Sequence, residues 1–113
     1  MPGHILYPQL DPDWQASLSE VIIKGLLREK LGYNGLVITD DLDMKAVTHD
    51  IHTCAERILR SDTDIALICH PGPDIERMFH SFLSLMESNE SYEKAGRASE
   101  ARILAAKKTY LKF

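Results

Sequence analysis

Three short apolar runs punctuate the chain, and apolar positions at helical spacing fill the intervals between them. His4-Ile5-Leu6-Tyr7 is closed by Pro8; Leu36-Val37-Ile38 follows a glycine turn; Ile65-Ala66-Leu67-Ile68-Cys69 ends at His70. Uninterrupted apolar runs bounded by turn residues read as strands buried on both faces, here over 3–7, 36–40 and 65–69. Between the first two, Leu18, Val21, Ile22, Leu26 and Leu27 recur as on one helix face. Ser17 to Glu20 has capping-box form, with Ser17 as N-cap, and the helix runs to about Leu31 before Gly32 stops it. A second helix is predicted around Thr53–Arg60, with Cys54, Ala55, Ile58 and Leu59 inward. A third starts with Pro73 at its first position and carries Ile75, Met78, Phe79, Phe82, Leu83 and Met86 on one stripe. A last amphipathic helix spans about Tyr92 to Leu111.

Strands alternating with helices predict an α/β fold with parallel strands and right-handed crossovers. A parallel sheet of three strands leaves both edges unpaired, so the pattern reads as a single partial domain over 1–113, a piece of something larger.

Composition narrows the function classes. Apolar residues make up 44% and charged residues 27%, ordinary proportions for a soluble globular chain. The net charge of −4 argues against nucleic acid or an anionic membrane as partner. The most basic stretch, Lys94 to Lys112, is interrupted by Glu100 and reads as a solvated helix face. No apolar run has the length of a membrane span, and the first residues lack the form of a signal peptide. Two cysteines are too few for a disulfide framework, and no Cys/His metal spacing occurs. Cys69, closing an apolar run, is expected to be a buried thiol. A reducing, cytoplasmic location and no cofactor or metal follow as expectations.

Chemistry enters at the exit of the middle run. Thr39 is followed by Asp40, Asp41 and Asp43, and a buried strand has no use for such acids, which are expensive to desolvate unpaired. Acids at the carboxyl end of a parallel strand are where α/β enzymes keep their catalytic groups. From the residues alone three readings stand. In one, Asp40 is a catalytic carboxylate. In another, Asp41-Leu42-Asp43 is the D-x-D of a Mg²⁺-dependent phosphatase or phosphotransferase. In the third, the chain is a non-catalytic module that assembles with itself or with a partner carrying further strands.

Leu31-Gly32-Tyr33-Asn34-Gly35-Leu36-Val37-Ile38-Thr39-Asp40-Asp41-Leu42-Asp43-Met44 resembles the signature of glycoside hydrolase family 3, in its β-N-acetylhexosaminidase branch. Met1 to Pro8, continued by Leu10-Asp11-Pro12, and Ala101 to Lys107 are similar to flanking stretches of that branch. The resemblance implies the last three βα units plus the closing helix of a (β/α)8 TIM-type barrel, an incomplete barrel because a whole one takes about 250 residues. It implies a retaining mechanism on β-linked amino-sugar oligosaccharides or glycopeptides, with Asp40 as nucleophile. The acid/base of the branch, a histidine held by an aspartate on a K-H-F-P-G-H-G loop, has no match among the five histidines. The chain alone is therefore expected to be inactive, and to associate with itself or dock to the rest of such a barrel.

Other residues take lesser roles in this reading. Asp41 and Asp43 either steer the nucleophile or cap and brace the following loop and helix. Met44 matches the motif and is a candidate sugar contact as well as a packing residue. His4 is a candidate substrate contact or a hydrogen-bonded core histidine, and His70 a candidate contact at the mouth of the site. Ser61-Asp62-Thr63-Asp64 departs from the small A-G-x-D turn of the family pattern.

Overall fold

The computed structural model describes residues 1–111. Its regular structure is helical: a 3-10 turn at Ala16–Leu18, a helix at Val21–Lys30, then α1 (Ile51–Arg60), α2 (Pro73–Ser88) and α3 (Glu90–Tyr110). The 21–30 helix is wound wide, in the π manner, as the 2.9 Å bond from the Leu31 N–H to the Leu26 carbonyl shows. Ser19, not Ser17, caps it: its hydroxyl accepts the Ile22 N–H at 3.1 Å. The buried Asp11 carboxylate in turn accepts a hydrogen bond from the Ser19 hydroxyl at 2.6 Å, together with those from the N–H groups of Asp13 and Trp14. Burial pushes the Asp11 carboxyl up, but these donors outweigh it and hold the group below its ordinary value.

The core lies where α1, α2 and the start of α3 meet. Asp50 caps α1 by accepting the Thr53 N–H at 2.7 Å, so the helix begins two residues before the predicted start. Its inward face is the one read from spacing, Cys54, Ala55, Ile58 and Leu59, all buried. Burial pushes the Cys54 thiol up to about 11. Leu18 and Leu42 join this cluster from the 3-10 turn and the acid loop, and Met78, Leu85 and Tyr92 from α2 and α3. Arg57 stacks on the Trp14 ring, 4.2 Å from its centroid, and ties the amino-terminal loop to α1. The stripe on α2 is wider than its cover: Met78 is buried and Phe82 and Met86 pack on the core, whereas Ile75, Phe79 and Leu83 lie exposed.

The expected parallel strands, and with them the α/β assignment and the three βα units of a TIM-type barrel, are overturned. Among the described residues no run forms a strand and no sheet is present. Residues 3–7 are irregular, with Ile5, Leu6 and Tyr7 largely exposed rather than buried on two faces. The other two runs touch through a single parallel bridge, Ile38 to Ile65. Its two bonds are the Ile65 N–H to the Val37 carbonyl, 3.2 Å, and the Thr39 N–H to the Ile65 carbonyl, 2.9 Å. The next rung fails for a local reason. Leu67 gives its N–H to the Thr39 hydroxyl (2.9 Å), in place of the backbone carbonyl a ladder would use. The Leu67 carbonyl is then taken by Leu42 (2.9 Å). Asp41, the residue in ladder register for it, turns its N–H to Asp40.

Candidate active site

The segment after Thr39 is a loop anchored by buried Leu42, and its acids are held chiefly by backbone donors. Asp40 is half-buried, and one carboxylate oxygen accepts the Asp41 N–H at 2.8 Å. No other hydrogen bond and no cation reaches the Asp40 carboxylate among the described residues. Asp41 accepts the N–H groups of Asp43 and Cys69, each at 3.1 Å. The Asp43 N–H, then the Cys69 N–H and the nearby His70, hold the Asp41 carboxyl below the ordinary carboxylate value. Asp43 accepts the His70 N–H at 3.0 Å, and the His70 Nδ1 lies 3.4 Å from the same oxygen.

The fold thus brings Asp40, Asp41, Asp43 and His70 to one place, where the two apolar runs end side by side. Asp41, Asp43 and His70 each offer a ligand atom within 4.8 Å of the others, the donor types a divalent cation takes. The cap of α1 is Asp50, so neither Asp41 nor Asp43 serves that helix. Met44 stands on the rim, 43% exposed, closing a turn through its N–H to the Asp41 carbonyl at 3.2 Å. An open groove of about 940 Å³ starts at Asp43 and Met44 and passes His49, His52 and Arg77. His4 lies beneath the loop: its Nε2 is 2.7 Å from the Asp41 carbonyl, and its Nδ1 meets the hydroxyl of buried Ser17. Both ring nitrogens are engaged within the chain. Cys69, expected to be buried, is exposed.

Sequence reasoning missed Asp64, which it placed in a plain turn. The side chain is fully buried, and its oxygens meet Arg28 (2.8 Å), Arg102 (2.8 Å) and the Val37 N–H (2.9 Å). Two arginines that lie far off in sequence supply the partners, so no local signal marks the site. Beside it, Asp62 sits in the left-handed region at φ 57°.

The family model for the glycosyl hydrolase family 3 N-terminal domain matches residues 1–107, which include the acid loop and everything that packs beneath it. The chain belongs to glycosyl hydrolase family 3. A beta-hexosaminidase of Actinobacillus succinogenes is 33% identical over 112 residues, covering 97% of this chain and 31% of that protein. One from Bordetella parapertussis is 35% identical over 99 residues, covering 86% and 28%. Among solved structures, the beta-N-acetylhexosaminidase of Beutenbergia cavernae superposes with TM-score 0.84 at 28% identity, over 93% of this chain and 32% of its own. A family 3 beta-N-acetylglucosaminidase of Paenibacillus gives 0.83 at 31% identity, over 94% and 21%. This family 3 chain thus spans less than a third of the length of these relatives. No helix among its described residues is long and apolar enough to cross a membrane.

Proposed function

We propose that this chain carries the nucleophile of a retaining hydrolase of β-linked N-acetylhexosaminides, and that the nucleophile is Asp40. The observation that supports this most is the state of the Asp40 carboxylate: one oxygen oriented by the Asp41 N–H, no cation against it among the described residues, and a half-open position. In such a reaction the carboxylate oxygen attacks the anomeric carbon as the glycosidic bond breaks. A donor on the other side protonates the departing oxygen, and water then releases the sugar from the aspartyl ester. In this reading that donor belongs to a His/Asp loop outside these residues, so the chain by itself turns over little or nothing. The names of its relatives, beta-hexosaminidase and beta-N-acetylglucosaminidase, support an amino-sugar glycoside as substrate. A 5-fluorinated β-N-acetylglucosaminyl fluoride needs no proton donor for departure and tests the nucleophile directly. Peptide mass spectrometry is expected to find the adduct on Asp40 and to lose it in Asp40→Asn. An unlabelled wild-type chain, or a labelled variant, overturns the assignment.

Assembly is part of the same reading. The chain exposes 7240 Å², roughly 1,000 Å² more than a compact monomer of its mass, and the excess is on the scale of one side of a standard interface. Exposed Ile75, Phe79 and Leu83 fit a face that docks, against a second copy or the remainder of a family 3 domain. A compact, stable monomer in sedimentation at micromolar concentration would count against docking. The free thiols Cys54 and Cys69 fit a reducing, cytoplasmic compartment. The phosphatase-like alternative draws on the Asp41, Asp43 and His70 cluster. Saturable NMR shifts at these three residues on Mg²⁺ titration would favour it.

A further inference from the structure

We propose that His4 is a positioning residue, which sets the Asp40 carboxylate through the main chain of Asp41 and has its own ring held in place by Ser17. The inference rests on Asp40 as the reacting group. A carbonyl oxygen only accepts, so the 2.7 Å contact with Asp41 puts the His4 proton on Nε2. In the neutral ring Nδ1 is then the unprotonated nitrogen and accepts a hydrogen bond from the Ser17 hydroxyl. Ser17 is fully buried, and its position is fixed from both sides of His4: the Ser17 N–H bonds the Gly3 carbonyl at 3.1 Å and the Ala16 N–H bonds the Ile5 carbonyl at 2.8 Å. The imidazole therefore has one tautomer and one orientation available.

What it holds is the turn that begins at the nucleophile. The Asp41 carbonyl uses both lone pairs, one for the His4 Nε2–H and one for the Met44 N–H at 3.2 Å. On the other side of the Asp41 Cα, its N–H is the donor that orients Asp40 at 2.8 Å. Holding the carbonyl of Asp41 restrains the 41–42 peptide plane, which only the φ and ψ of Asp41 separate from the plane of this N–H. The run of bonds is directional: Ser17 hydroxyl to His4, His4 to the Asp41 carbonyl, and the Asp41 N–H to Asp40. A substrate contact by His4, the other expectation from the sequence, would need a ring nitrogen that the fold leaves no room to spare.

The test uses the whole chain. Two-bond proton–nitrogen NMR of the imidazoles is expected to show His4 as the Nε2–H tautomer; an Nδ1–H tautomer, or averaging of the two, overturns the proposal. His4→Leu removes the donor, whereas His4→Gln keeps a side-chain N–H for Asp41 and an oxygen for Ser17. Hydrogen exchange at the Asp41 amide should accelerate about tenfold in His4→Leu and stay within about threefold of wild type in His4→Gln. If both variants lose thermal stability while Asp41 exchange is unchanged, His4 is a packing residue and the proposal fails. Labelling of Asp40 by the fluorinated sugar should slow in His4→Leu and recover in His4→Gln. A wild-type chain that takes no label, yet shows the tautomer and exchange pattern, sinks the nucleophile assignment and leaves the positioning geometry standing.

Discussion

Two acidic turns lie at opposite ends of the same pair of extended segments, and they treat their carboxylates in opposite ways. At Ser61–Asp64 the carboxylate of Asp64 is wholly buried between Arg28 and Arg102 and also accepts the Val37 N–H. At Asp40–Asp43 three carboxylates are half-open and are met chiefly by backbone N–H groups. A buried charge matched by two guanidinium groups has its lone pairs committed, and it fixes the geometry of the chain. A carboxylate held by one or two N–H donors is oriented without being neutralised, so an oxygen stays available to an incoming atom. Acidity in the sequence does not separate the two; the partners do.

The largest test of that contrast is Asp64→Ala. It removes the carboxylate that neutralises Arg28, whose side chain is only 9% exposed and keeps just carbonyl partners, and it frees the Val37 N–H. A loss of about 3–5 kcal/mol is expected in chemical denaturation, a large share of a small domain's stability. A loss under about 1 kcal/mol would put Asp64 in the same class as the exposed pairs. Acid is the next lever. The Ser19 hydroxyl and the N–H groups of Asp13 and Trp14 outweigh burial at Asp11, and the Tyr92 hydroxyl is the chief cause at Glu56; both carboxyls lie below their ordinary values. A depressed folded value adds stability above the unfolded value and loses it as pH falls through the folded one. The thermal midpoint should therefore be level from neutrality to about pH 5 and decline below about pH 4. Stability that rose on acidification would reverse the sign assigned to these groups.

Smaller effects sharpen the contrast. Asp62→Gly relieves a left-handed residue at φ 57°, where the family pattern carries glycine, and is expected to stabilise by about 0.5–1 kcal/mol. Asp40→Asn keeps an oxygen for the Asp41 N–H, so the unfolding midpoint should shift by less than about 0.5 kcal/mol while sugar labelling is lost. A strongly destabilised Asp40→Asn would make the acid loop as structural as the Asp64 turn.

What could be read from the sequence follows the range of the interactions. The inner face of α1 and the Pro73 start of α2 were legible, because helical spacing and caps are local. The cap of the 21–30 helix was misplaced by two residues, since Ser17 and Ser19 look alike until His4 and Asp11 claim one each. The apolar runs at 36–40 and 65–69 do extend side by side, but apolarity does not say which oxygen Leu67 will meet. In the acid loop the three aspartates stand out as a group and His70 as a candidate contact at the mouth of the site; a hydrogen-bonded His4 is also among the readings, but its partner is a serine thirteen residues on that no local pattern marks. Asp64 stayed hidden because both its cations come from distant helices.

Thr39 carries a consequence of its own for which substitutions the chain can accept. Valine has the same shape and the higher strand preference, yet it has no oxygen to offer the Leu67 N–H. Serine, a poor strand former, keeps that oxygen. At this position tolerance should follow the hydroxyl and ignore β-propensity, so a substitution table built on strand statistics would rank the two replacements in the wrong order.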